Sequence, residues 1–117
     1  MKAFEFVSEA ARADYLALPR PVQRRFGRCL RAVQEGKPAP AVKCVAPMVG
    51  RGAAELVQNG SPAYRVIFSS KDPETVCVLH AFTKTDQGAD RPNLETARKR
   101  YRERQRWASG RGARVSR

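Results

Sequence analysis

Residues 53–82 read AAELVQNGSPAYRVIFSSKDPETVCVLHAF, and they decide the fold because three strand-like apolar runs follow one another closely there. The runs cover residues 53–57, 63–68 and 76–82. The two segments between them are rich in Asn, Gly, Ser, Asp and Pro, which are the residues that form turns. Because connections this short join antiparallel neighbours, the stretch predicts an antiparallel meander of three strands.

Upstream of the meander, the sequence predicts one short strand and two helices. Alternating aromatic and polar residues at 4–6 indicate the strand. A first helix over residues 8–18 has Ser8 as its N-cap, and a second helix covers residues 21–36. The apolar residues of the second helix repeat on one face, which we expect to pack on the sheet: Val22, Phe26, Cys29, Leu30 and Val33.

The remaining segments complete an α+β domain. Residues 41–52 are typical of a loop with some extended backbone, and residues 86–90 of a polar loop. A last helix opens at Pro92. We therefore expect an antiparallel sheet of about four strands, with two N-terminal helices and a C-terminal helix packed on one face. The domain covers residues 1–108, and residues 109–117 have the composition of a flexible basic tail.

The charge of the chain is its strongest compositional signal. The 117 residues include 23 Lys and Arg against 11 Asp and Glu, a net charge of +12, which attracts polyanions such as RNA. The start of the sequence has no apolar run typical of a signal peptide, so we expect a cytoplasmic protein without a membrane segment. Three widely spaced cysteines and one histidine do not form a zinc-binding pattern, and we expect no metal or cofactor.

The meander and the last helix carry a resemblance to a known family. The matching strings are GAAEL at 52–56, YRV at 64–66 and LHAFTK at 79–84, followed by a proline-led helix containing Ala97 and Arg98. In this order and spacing they resemble the RelE/HigB toxin superfamily, in particular its phage-derived HigB-like branch. The resemblance covers roughly residues 1 to 104.

This resemblance implies a RelE-like fold and a ribosome-dependent mRNA endonuclease, the toxin of a type II toxin–antitoxin pair. Its partners would be the ribosome, mRNA and a cognate antitoxin, for which a small helix-turn-helix protein is expected. In such toxins the ribose 2′-hydroxyl attacks the adjacent phosphate, without a metal. Lys and Arg side chains stabilise the charge that develops on that phosphate.

Four residues are candidates for catalysis by this resemblance. Arg65 and Lys84 match basic positions that hold the phosphate, and the alternative for each is an ordinary surface cation. Glu55 matches a glutamate of the family and is a candidate base, although we expect an ion pair with an arginine of the neighbouring strand instead. By strand alternation His80 shares a face with Val76, Val78 and Phe82, which favours a core histidine over an acid or base.

Other basic residues are candidates for binding RNA phosphates without reading sequence, and the alternative is a solvated surface. They are Lys43, Arg51, Arg98, Lys99, Arg100, Arg102 and Arg106.

The sequence also departs from the family pattern. Val57 and Thr85 occupy positions that are usually basic. These departures leave two alternatives open: a non-catalytic toxin that inhibits gyrase, like the ParE branch, and an inactive phage-derived remnant that binds nucleic acid or an antitoxin.

Overall fold

The computed structural model describes residues 1–39, 42–85 and 90–115, with side chains up to residue 107. The predicted polar loop at 86–90 therefore lies outside the described residues except for Asp90. The elements, in chain order, are β1 (Ala3–Phe6), α1 (Glu9–Leu16), α2 (Arg20–Gln34), β2 (Val42–Cys44), α3 (Ala46–Val49), β3 (Ala53–Gln58), β4 (Ala63–Ser69), β5 (Thr75–Lys84) and α4 (Arg91–Val115).

The strands form a five-stranded mixed sheet in the order β1-β5-β4-β3-β2. The predicted meander is confirmed, since β3, β4 and β5 pair in antiparallel fashion. The prediction of about four antiparallel strands is wrong in two respects. β1 pairs with β5 in parallel, and β2 adds a further antiparallel strand beside β3. The pairing of β1 with β5 joins segments that are far apart in sequence, and the local pattern does not encode it. β2 was not predicted because it has only three residues.

One face of the sheet packs against α1 and α2. The predicted inner residues of α2 lie there, with Val22, Phe26 and Leu30 buried. From the sheet, the same cluster takes Leu56, Val66, Phe68, Val76 and Val78. Burial of these side chains stabilises the pairing of helix and sheet, at about 25 cal/mol per Å² of apolar surface removed from water.

The other face packs against α3 and α4, so the prediction that the helices lie on one face is wrong. Ile67 and Leu79 of the sheet contact Ala97 and Tyr101 of α4 in a second buried cluster. The physical reason is the composition of β5, which is apolar at consecutive positions and therefore needs cover on both faces.

An irregularity in β5 changes the direction of its last side chains. Ile67 pairs with His80 and Phe68 with Val78, so Leu79 is an extra residue in the ladder. Val78 lies in the cluster under α2, whereas Phe82 lies in the cluster under α4. The expectation that His80 and Phe82 share a face with Val76 and Val78 is therefore wrong, because alternation does not continue through the bulge.

The last helix begins at Arg91, where Leu94 N donates to Asp90 O, and it continues to Val115. The helix continues past residue 109, where the basic tail is expected to start. Side chains are described only up to residue 107, and the boundary at residue 109 stays a prediction. Within the described part of the chain, no helix is both long and apolar enough to cross a bilayer.

Candidate phosphate-binding site

Four charged residues, one from each of four adjacent strands, lie on the α4 side of the sheet, and we call them the strand cluster. They are Lys43 of β2, Glu55 of β3, Arg65 of β4 and Lys84 of β5. Lys43 pairs directly with Glu55, a position at which side chains on one face are close neighbours. Arg65 pairs with Val57 on one side and with Phe82 on the other. Three of the four predicted catalytic residues thus lie together.

Glu55 is the buried acid of the strand cluster. It is 3% exposed, and its Oε2 atom has no hydrogen-bond partner among the described residues. Burial raises the pKa of this carboxyl, because the charged form loses its hydration. The charge of Arg65 acts in the opposite direction, as do those of Lys43 and Lys84, but burial has the larger effect.

Arg65 is held by the turn between β3 and β4. Its Nη1 atom donates to Tyr64 O at 2.9 Å and to Gln58 O at 3.3 Å, and Nη2 donates to Asn59 Oδ1 at 3.4 Å. The residue is 9% exposed. These contacts use three of the five N–H donors of a guanidinium and fix its plane. The expected ion pair with Glu55 is not formed within the described residues, since the turn holds the guanidinium instead.

Lys84 ends β5 and forms an ion pair with Asp90, with 3.3 Å between Nζ and Oδ1. Asp90 immediately precedes α4, so this pair fixes the start of the helix beside the strand cluster. Its negative charge also contributes to the raised pKa of Glu55. Asp90 was missed by sequence reasoning, because its position next to Lys84 depends on how α4 packs on the sheet.

His80 is buried in a polar network at the edge of β5, where β1 has ended. Its Nδ1 atom lies 3.1 Å from Asp14 Oδ2, and its Nε2 atom lies 2.8 Å from Asn93 Oδ1. Arg100 Nη1 donates to Asp14 Oδ2 and to Leu79 O, both at 2.9 Å. The ring of His80 stacks on Phe82. The network therefore joins α1, β5 and α4, and neither Asp14 nor Asn93 carried a recognisable signal in the sequence.

The predicted RNA-binding residues divide into two groups. Exposed side chains account for six of them: Lys43, Arg51, Arg98, Lys99, Arg102 and Arg106. Arg100 is different, because its guanidinium points into the network of His80 and its side chain is only 19% exposed. Its placement on the exposed basic face of α4 is therefore corrected by the structure.

A groove of about 710 Å³ runs between α3 and α4, and its lining includes Asp90, the ion-pair partner of Lys84. Met48 and Leu94 contribute apolar surface to it, and Arg98 and Arg102 contribute charge. Asp90 and Glu95 also line the groove, so its charge is mixed. The described residues hold no group of three His, Cys, Asp or Glu side chains arranged for a metal ion.

Comparison with known proteins gives one family. The family model for phage derived protein Gp49-like (DUF891) matches residues 13–102, which is more than half of the chain. The matched segment contains the whole strand cluster and the network of His80. The chain matches none of the curated proteins compared with it. The chain therefore belongs to the Gp49-like family of phage-derived proteins, which is a RelE-type toxin-like family.

Proposed function

We propose that this protein is the toxin of a type II toxin–antitoxin pair and that it cleaves mRNA on the ribosome, as HigB-like toxins do. Its family supports the toxin class, because Gp49-like proteins are related to RelE-type toxins that act as endoribonucleases. The strand cluster supports the chemistry, because it combines fixed cations with an acid whose pKa is raised.

In the proposed reaction, Arg65 and Lys84 bind the scissile phosphate. Glu55 accepts the proton of the ribose 2′-hydroxyl as that oxygen attacks phosphorus. The bond from phosphorus to the 5′-oxygen then breaks, and the leaving oxygen takes up a proton from water, to which Glu55 afterwards returns the proton that it accepted. The guanidinium of Arg65 is suited to its role, because three hydrogen bonds to the turn hold it before substrate arrives.

The single observation that carries the proposal is the buried Oε2 atom of Glu55, which has no hydrogen-bond partner among the described residues. A buried acid with no hydrogen bond at Oε2 lowers the stability of the fold at neutral pH. The charges of Lys43, Arg65 and Lys84 act on this carboxyl, and none of the three forms an ion pair with it within the described residues. Strain of this kind concentrates at functional sites, where a ligand completes the missing contacts.

The proposed partners are the ribosome, mRNA and a cognate antitoxin, for which a small helix-turn-helix protein is expected. The exposed cations Lys43, Arg51, Arg98, Lys99, Arg102 and Arg106 would contact RNA phosphates.

The test is induced expression followed by mapping of mRNA 5′ ends, with translation running and with translation blocked. New 5′ ends that depend on translation are the expected result. Growth arrest with intact mRNA would contradict the proposal and favour a gyrase inhibitor of the ParE type. Normal growth with intact mRNA would favour an inactive remnant.

A further inference from the structure

The helix α2 has an exposed face made of arginine, on the opposite side of the sheet from the strand cluster. Its residues read RPVQRRFGRCLRAVQ, with no acid among them. The inner face is occupied by Val22, Phe26 and Leu30, which pack in the cluster under the sheet. All of its arginines are exposed: Arg20, Arg24, Arg25, Arg28 and Arg31.

Four of these arginines form a row along one side of the helix, which we call the α2 stripe. Arg20, Arg24, Arg28 and Arg31 follow at intervals of four, four and three residues, so they lie on one side of the helix. At a rise of about 1.5 Å per residue, the stripe is about 16 Å long. A row of this length presents several guanidinium groups to one extended partner.

The charges of the α2 stripe are largely uncompensated. Within the described residues, Arg31 pairs with Glu35 at 3.3 Å, and Lys37 shares the same acid. The other stripe arginines form no ion pair there. Like charges four residues apart destabilise a helix by a few tenths of a kcal/mol per pair, so an anion bound from outside the chain would relieve this repulsion.

The composition of the stripe identifies the kind of anion. At protein–protein interfaces, arginines act together with buried apolar and aromatic anchors. The exposed large apolar side chains of the described structure are Met1, Phe4, Leu16, Val42, Met48 and Trp107, and none of them lies on α2. A purely ionic surface of arginine instead fits the phosphates of a nucleic-acid backbone, which a guanidinium binds with two donors.

We infer that the α2 stripe binds the phosphate backbone of structured RNA, as a second RNA surface separate from the strand cluster. The two surfaces lie on opposite faces of the sheet, since α2 covers the face with Leu56 and Val66 while Glu55 and Arg65 alternate with those residues. One RNA could therefore anchor the protein at α2 while another reaches the cluster. The inference concerns binding and stands apart from the cleavage proposed above.

The test measures binding of a short RNA duplex by fluorescence anisotropy over a range of KCl concentrations. The variant Arg24→Gln/Arg28→Gln removes two stripe charges. The control Arg12→Gln/Lys71→Gln removes two exposed charges from outside α2, so the net charge is equal. Each lost phosphate contact makes the negative slope of log affinity against log salt less steep by about 0.9. The slope of the stripe variant should therefore be less steep than that of wild type by about 1.8. The control should keep nearly the wild-type slope.

Equal slopes for the stripe variant and the control would overturn the inference. It would also be overturned if the stripe variant lost binding to poly-glutamate and kept its binding to the duplex, because the surface would then serve an acidic protein. Thermal melting of each variant shows that the fold is intact. Duplex binding requires no cleavage. The binding measurement therefore tests the α2 stripe even if the protein has no nuclease activity.

Discussion

Glu55 and Arg65 lie on adjacent strands of one sheet face, and the arginine favours the ionised carboxylate by its charge without forming an ion pair with it. Arg65 pairs across the ladder with Val57, two residues along β3 from Glu55. Its guanidinium is held instead by the carbonyls of Gln58 and Tyr64. The guanidinium therefore keeps its charge near Glu55 without being neutralised by it.

Replacing Glu55 by Gln should raise stability and reduce activity. Burial raises the pKa of Glu55, so the folded state holds the proton more tightly than the unfolded chain does. The stabilising effect of protonation is complete below the ordinary pKa of glutamate and is lost as pH rises through the raised pKa. Glu55→Gln should therefore be more stable than wild type at pH 7 and lose this advantage in acid. Chemical unfolding at several pH values measures this.

The same variant should cleave mRNA about 10²- to 10⁴-fold more slowly if Glu55 is the general base. Glu74→Gln is the matched control, since Glu74 is exposed, and it should change neither property. A Glu55→Gln protein with full activity would remove Glu55 from the chemistry.

Lys84 and Asp90 should have opposite effects on cleavage. Lys84→Met removes a proposed phosphate ligand and should lower the rate about 10²- to 10³-fold, as expected for the loss of one donor to the transition state. Asp90→Asn removes the anion that pairs with Lys84 at 3.3 Å, and it should preserve or raise the rate. Single-turnover cleavage compares the two. Equal losses would mean that the ion pair serves only to hold α4 on the sheet.

His80→Gln should lower stability and spare the cleavage rate per folded molecule. The histidine contacts Asp14 and Asn93, and its loss leaves these half-buried polar groups with poorer partners, at a cost of about 1–3 kcal/mol. Denaturant unfolding measures the free energy, and cleavage by the folded fraction measures the rate. A variant that is stable but inactive would move the catalytic centre to His80.

The meander and the α2 face could be predicted because local signals determine them. Turn residues separate three apolar runs, and Val22, Phe26 and Leu30 repeat at helical spacing. The parallel pairing of β1, the bulge at Leu79 and the cover on both faces could not be predicted, since each depends on contacts between distant segments.

The residues of the site also divide into those that the sequence predicts and those that it does not. The resemblance identified Glu55, Arg65 and Lys84, and the register of three strands brings them together. It did not identify Asp14, Asp90 or Asn93, which approach the sheet only through the packing of α1 and α4. Arg100 was assigned to the basic surface because charge alone does not indicate which side of a long helix faces inward.

Gly50→Ala should destabilise the fold strongly. Gly50 has φ +151°, and a Cβ there would overlap the ring of Tyr101, whose hydroxyl donates to Arg51 O at 2.8 Å. Backbone strain and overpacking together should cost about 2–5 kcal/mol. Gly36→Ala is the control, because Gly36 has φ +74° but nothing within 4 Å, and it should cost about 1–2 kcal/mol. Urea unfolding of both variants tests this, and equal losses would contradict the close contact with Tyr101.

The proposal that Arg65 binds the scissile phosphate is tested most directly by single-turnover cleavage of mRNA on programmed ribosomes. The proteins compared are wild type, Arg65→Ala and Arg65→Lys. Arg65 is one cation among 23 Lys and Arg residues, so its removal should barely change ribosome binding. Loss of a preorganised donor at the phosphate should slow cleavage about 10²- to 10³-fold, and Lys should restore only part of the rate because it lacks the forked guanidinium. An Arg65→Ala protein with the wild-type rate would contradict the role of Arg65, and a wild-type protein that leaves mRNA intact would contradict the proposed cleavage.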